Sequence, residues 1–153
     1  ENTECRFQVK DMNETLRHEL HELEKAGDIL EYSYDKCNSI GIKPGLSNDQ
    51  LESFEALTSR FARLSDIIIQ KILRYFDILD LEEKGTVRDR INRAEKKQVI
   101  ESADDFIQIR ILRNEIAHEY QSETIYSIFE KVVELTPILL KSIDSLTAYA
   151  HKY

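Results

Sequence analysis

"LESFEALTSRFARLSDIIIQKILRYFDIL", residues 51–79, decides the fold class of this chain. Its apolar side chains recur in steps of three and four, as they do on one face of an α-helix. They are Leu51, Phe54, Leu57, Phe61, Leu64, Ile68, Ile72, Tyr75 and Leu79. Ile67, Ile68 and Ile69 are consecutive, so we expect this helix to be buried on more than one side. Ser47 followed by Gln50 predicts a capping box at its start.

Four further helices are predicted around this one. Apolar residues at helical spacing predict a long first helix over residues 11–38, which the two glycines and the proline of residues 39–47 end. Three more helix starts are indicated by capping residues, at Thr86 with Asp89, at Ser102 with Asp105 and at Ser122. No stretch alternates strictly with period two. The sequence therefore predicts an all-α, antiparallel bundle of about five helices, in one domain over residues 1–153.

The composition is that of a globular protein in a reducing compartment. Hydrophobic residues make up 41% of the 153 residues and charged residues 33%. No apolar run approaches the roughly 20 residues that a membrane span needs. The two cysteines, Cys5 and Cys37, have no metal-binding spacing and predict no disulfide framework. We therefore expect a cytoplasmic protein without a membrane contact and without a cofactor.

Charge is distributed unevenly along the chain. The net charge of -8 argues against a protein whose main task is to coat nucleic acid, because such affinity comes largely from neutralising phosphates. Residues 84–97 are the exception, with six basic and two acidic residues. Two interpretations stay open for this stretch. It is either a solvated helix face or a track for a phosphate backbone that leads towards Arg113.

A second stretch, "RILRNEIAHEY" at residues 110–120, is unusual in an otherwise ordinary amphipathic segment. It places Arg113, Asn114, His118 and Tyr120 within eight positions. Asn114 and His118 are four residues apart and share a helix face, whereas Arg113 and His118 are about 140° apart around the axis. A site that uses both Arg113 and His118 needs a long arginine reach, a helix end near His118, or a second copy of the motif.

These residue types suit chemistry on a phosphodiester. Arginine offers a planar fork of donors to phosphate oxygens, and histidine exchanges a proton near neutral pH. Asparagine orients an imidazole or donates to an oxyanion. His118 has no neighbouring His or Cys, so the sequence predicts no metal site there. The alternative is structural, since cations and asparagine are also common at helix C-termini.

With these residues the sequence resembles the HEPN superfamily, specifically the toxins of HEPN/MNT toxin–antitoxin pairs, whose signature is Rx4HxY. "RNEIAHEY" fits that signature at Arg113, His118 and Tyr120, with Asn114 in the polar position that follows the arginine. The resemblance covers roughly residues 50–145. It also extends to the related nucleotidyltransferase substrate-binding proteins.

The resemblance implies a helical bundle that forms a homodimer with two motifs facing one cleft. It implies a metal-independent endoribonuclease that cleaves RNA, in which Arg113 binds and stabilises the phosphate and His118 acts as general acid or base. Asn114 would support them and Tyr120 would border the cleft. It further implies an MNT-type nucleotidyltransferase antitoxin as partner, which in some pairs attaches AMP to the tyrosine.

Two alternatives to a ribonuclease toxin remain. One is a non-catalytic, substrate-binding partner of a minimal nucleotidyltransferase, which the acidic net charge favours. The other is a structural or regulatory helical module with an inert motif.

Overall fold

The computed structural model describes residues 2–82, 85–118 and 125–153, and in these ranges it contains helices but no strand. The helices are α1 (Asn2–Ile40), α2 (Asn48–Asp66), a π-helical segment (Ile67–Ile72), α3 (Leu73–Leu79), α4 (Val87–Lys96), α5 (Ala103–His118) and α6 (Ile125–Ala150). Because α2, the π-helical segment and α3 follow each other directly, the described residues form five helical rods. The predicted all-α bundle is confirmed. None of these helices is both long and apolar enough to cross a membrane.

The rod over residues 48–79 is the centre of the bundle. Its α2 part packs against α1, α5 and α6, and α3 packs against α4. The consecutive isoleucines Ile67, Ile68 and Ile69 are all buried, which confirms that the rod is covered on more than one side. Phe54 and Phe61 are also fully buried. The π-helical turn in the middle of the rod was not predicted, because apolar spacing does not distinguish it from an α-helical turn.

The helix starts follow the predicted capping residues. The predicted capping box at Ser47 with Gln50 is present, and the predicted capping residues Thr86 and Asp89 also form a capping box. At the start of α5, the Ser102 hydroxyl accepts a hydrogen bond from the backbone N–H of Asp105 at 3.2 Å. The start predicted at Ser122 lies outside the described residues, and α6 is described from Ile125. The first helix is longer than predicted: it begins at Asn2 instead of Asp11.

A partly buried carboxylate holds the C-terminal end of α6 against the rest of the bundle. Asp80, directly after α3, accepts hydrogen bonds from four side chains: Tyr149, Tyr153, Lys97 and Lys152. Burial by itself raises the pKa of Asp80, but the four donors outweigh it and hold that pKa well below its usual range. The contact joins α3, α4 and the end of α6 through one charge.

Cys37 is a free thiol in the interior between α1 and α2. It is 1% exposed, and its Sγ donates to the backbone carbonyl of Ser53 at 3.4 Å. Burial raises the pKa of the Cys37 thiol. A buried thiol of raised pKa is unreactive, so Cys37 acts here as a small apolar core residue.

Candidate functional site

The motif lies on the last two turns of α5. Leu112 and Ile116 face the core and fix the rotation of the helix. Asn114 and His118 are consequently exposed, and Arg113 is half-buried at the side of the helix. Tyr120, the fourth residue of the motif, lies outside the described residues.

Arg113 is held by a carboxylate of the central rod. Its Nε donates to Asp66 Oδ1 at 2.7 Å, and its Nη2 donates to Asp66 Oδ2 at 2.9 Å. These two parallel hydrogen bonds form the bidentate arrangement that arginine also makes with phosphate. The pair with Asp66 raises the pKa of Arg113 above its ordinary value. Arg113 is therefore fully charged, correctly oriented for an oxyanion, and already bound to one.

Asp66 is a site residue that the sequence did not reveal. It lies 47 residues before Arg113, and no spacing rule connects the two positions. Asp66 is the last residue of α2, immediately before the π-helical segment. Single π-helical turns are rare and are frequently found at functional sites. The buried run Ile67–Ile69 was visible in the sequence, but nothing marked the acidic residue in front of it as special.

Asp66 also borders a charged groove between α1 and the central rod. The groove is lined by His18, Glu19, Glu22, Arg63, Asp66, Ile67 and Lys71. Glu19 is buried, and its carboxylate lies 3.6 Å from the ammonium group of Lys71. His18 is exposed at the rim. The sequence did not point to His18, because Arg63, Asp66 and Lys71 of the groove lie on the central rod and are distant from it along the chain.

The structure does not join Arg113 to His118. Arg113 turns towards α2, and no hydrogen bond between the two side chains occurs in the part of the chain that the structure describes. Their separation of about 140° on a regular helix accounts for this. Asn114, by contrast, lies one turn before His118 on the same exposed side of α5.

The basic stretch at residues 84–97 is divided between two environments. Three of its cations turn inward and pair with carboxylates: Arg93 with Asp77, Arg90 with Asp77, and Lys97 with Asp80 and Glu82. Arg88 and Lys96 are exposed. Neither interpretation from the sequence describes this stretch as a whole, because half of its charge holds α4 against α3.

No protein-family model matches this chain, and no curated protein matches it. Within the described ranges, no group of three or more His, Cys, Asp or Glu side chains is arranged to hold a metal ion.

Proposed function

We propose that this protein is a HEPN-type endoribonuclease toxin of a toxin–antitoxin pair, with Arg113 and His118 as its catalytic residues. The strongest support is the pair of hydrogen bonds that Arg113 donates to the two carboxylate oxygens of Asp66. A carboxylate presents two oxygens to the guanidinium much as a phosphate does. Arg113 therefore has the orientation required to bind the scissile phosphate once Asp66 is displaced.

The reaction is an internal transfer at phosphorus. The 2'-oxygen of a ribose attacks the adjacent phosphorus, its proton passes to a base, and the bond from phosphorus to the 5'-oxygen breaks. The leaving oxygen takes up a proton. His118 exchanges these protons and Arg113 stabilises the additional negative charge on the phosphate. Asn114, on the same side of α5, orients His118 or donates to the phosphate.

A homodimer supplies what one subunit lacks. One His118 cannot be base and acid in the same step, and it lies about 140° around α5 from Arg113. Two motifs in one cleft provide two histidines and two arginines. Two-fold dimers are also the commonest soluble assemblies. Sedimentation at micromolar concentration checks this proposal: a dimer is expected, and an active monomer contradicts it.

The second candidate is a non-catalytic partner of a minimal nucleotidyltransferase. The net charge of -8 and the occupied fork of Arg113 favour it, since both weaken the attraction for RNA. Both candidates include an MNT-type nucleotidyltransferase as partner, and both include Tyr120 as the acceptor of AMP. An adenylyl group on Tyr120 would add a phosphate charge seven residues after Arg113 in the motif. Pairing of Arg113 with that phosphate would keep the arginine from binding RNA.

Cleavage of single-stranded RNA in excess EDTA separates the two candidates. We expect the wild-type protein to cleave, His118→Ala to be inactive, and Arg113→Lys to be strongly impaired because the bidentate fork is lost. Exposed His21→Ala, on α1 away from the motif, is the matched control and should cleave normally. Full activity of His118→Ala, or no cleavage by the wild type, contradicts the ribonuclease proposal.

A further inference from the structure

Four arginines from three helices lie near each other on the side of the bundle formed by α3, α4 and α5. We call this group the arginine cluster: Arg90 on α4 lies near Arg93 on the same helix, near Arg74 on α3 and near Arg110 on α5. Asp77 on α3 pairs with Arg90 and Arg93. Arg93 binds Asp77 with both arms of its fork, at 3.1 and 2.7 Å. Arg90 Nε lies 3.7 Å from the same carboxylate.

The arginines of the cluster outnumber the carboxylates beside them. Asp77 is already bound by Arg93, and within the described residues neither Arg74 nor Arg110 forms a salt bridge. Burial lowers the pKa of Arg90, Asp77 opposes this, and the neighbouring Arg74, Arg93 and Arg110 lower it further. The buried Nε of Arg90 has no hydrogen-bond partner among the described residues. Glu82 and Asp89 also lie near Arg93, but Glu82 pairs with Lys97 and Asp89 caps α4. The four arginines therefore keep an excess of positive charge, which attracts an anion.

The central rod connects the cluster to Arg113. Arg90 Nη1 donates to the backbone carbonyl of Ile69 at 3.1 Å, inside the π-helical segment. Arg113 binds Asp66, three residues before Ile69 on the same rod. Arg90 and Arg113 thus reach the rod at neighbouring positions, about one turn apart.

Helix α5 connects the cluster to the exposed part of the motif. Arg110, Asn114 and His118 follow each other in steps of four and lie on one stripe of the helix. Arg110 is about 12 Å along the axis from His118. A chain of phosphates that passes His118 and Asn114 therefore meets Arg110 next, followed by Arg90 and the exposed Arg74.

We infer that the arginine cluster binds the phosphate backbone of single-stranded RNA next to the phosphate held at the motif. The inference rests on the proposed ribonuclease function and identifies where the rest of its substrate lies. An extended polyanion fits better than a single phosphate, because the cations come from three helices and Arg74 is exposed. Arginine forks suit phosphate oxygens, and the acidic remainder of the surface directs a strand to this side.

Binding of a fluorescent 2'-O-methyl oligonucleotide, which has no 2'-hydroxyl to attack the phosphate, tests the inference without relying on cleavage. Arg74→Gln and Arg110→Gln should each raise Kd about three- to tenfold at low salt. Each should also reduce the slope of log Kd against log salt by about 0.7, the value for one lost phosphate contact on a single strand. Arg88→Gln is the matched control, because Arg88 is exposed on α4 about 200° around the helix from Arg90.

Each outcome decides one question. Wild-type affinity in both cluster variants, or equal weakening in Arg88→Gln, overturns the inference. The inference is also overturned if the wild-type protein binds an acidic peptide but not the oligonucleotide, and the two cluster variants lose that peptide binding. Cluster-dependent binding together with an absence of RNA cleavage supports the cluster and refutes the ribonuclease. Cleavage that depends on His118 but is unchanged in Arg74→Gln and Arg110→Gln supports the ribonuclease and refutes the role of the cluster. Thermal unfolding of each variant establishes that it is folded.

Discussion

Replacing Asp66 with asparagine should make the protein bind RNA more tightly. In the structure the carboxylate of Asp66 occupies both arms of the Arg113 fork, so an incoming phosphate has to displace it. Asparagine has nearly the same shape but no charge, and its amide offers only one acceptor oxygen. Arg113 then keeps at most one weaker hydrogen bond and can turn to a phosphate at a lower free-energy cost.

The size of the effect follows from the exposure of the pair. The side chain of Arg113 is 32% exposed and that of Asp66 is 36% exposed, so water screens much of the attraction. A bidentate pair in such a position contributes about 1 kcal/mol. Releasing Arg113 by Asp66→Asn should therefore lower Kd for a single strand about fivefold. The same change should lower the free energy of unfolding by no more than about 1 kcal/mol.

Fluorescence anisotropy with the 2'-O-methyl oligonucleotide measures the affinity, and urea titration measures the stability. Glu52→Gln is the matched control, because it removes one negative charge from the exposed side of the same helix α2. That control separates the release of Arg113 from the general effect of a less acidic protein. If Asp66→Asn binds no more tightly than Glu52→Gln, Asp66 does not compete with phosphate and the reasoning is wrong.

Three further predictions concern the fold and the motif. Asp80 has a folded-state pKa below its unfolded value, so its network stabilises the protein fully above about pH 4, and this stabilisation declines progressively as the pH falls further. Asp80→Asn should remove this part of the pH dependence when urea titrations at pH 7 and pH 3 are compared. Thr86→Ala should lower the free energy of unfolding by about 1 kcal/mol, because it removes a capping box, whereas Thr86→Ser should not. Tyr120→Phe should cleave RNA but gain no AMP mass when incubated with ATP, magnesium and the proposed MNT-type nucleotidyltransferase partner; an adduct on the variant would show that another residue is modified.

The fold was predictable because local patterns determine most of it. The three- and four-residue spacing over residues 51–79 indicated the buried central rod, and side-chain caps at Ser47 and Thr86 gave two helix starts. The π-helical turn at Ile67–Ile72 was not predictable, because an isoleucine run fits either kind of turn. The extension of α1 before Asp11 was not predicted, because the sequence of those residues shows no clear apolar face.

The candidate site was only partly predictable. The spacing gave correctly that Asn114 and His118 share one exposed side of a helix and that Arg113 lies on another side. The pairing of Arg113 with Asp66 and the arginine cluster around Asp77 depend on how separate helices pack. A charge count over residues 84–97 also misjudged which cations face solvent, because it ignores the acidic side chains that α3 brings to α4.

Analysis of the ends of the RNA products tests the central claim most directly. If a 2'-oxygen attacks the phosphate with His118 and Arg113 as catalysts, wild-type protein in EDTA leaves a 2',3'-cyclic phosphate on one product and a 5'-hydroxyl on the other. His118→Ala should leave the RNA intact while it still binds the 2'-O-methyl oligonucleotide. Products with 5'-phosphate ends, or the same ends from His118→Ala, would contradict the account.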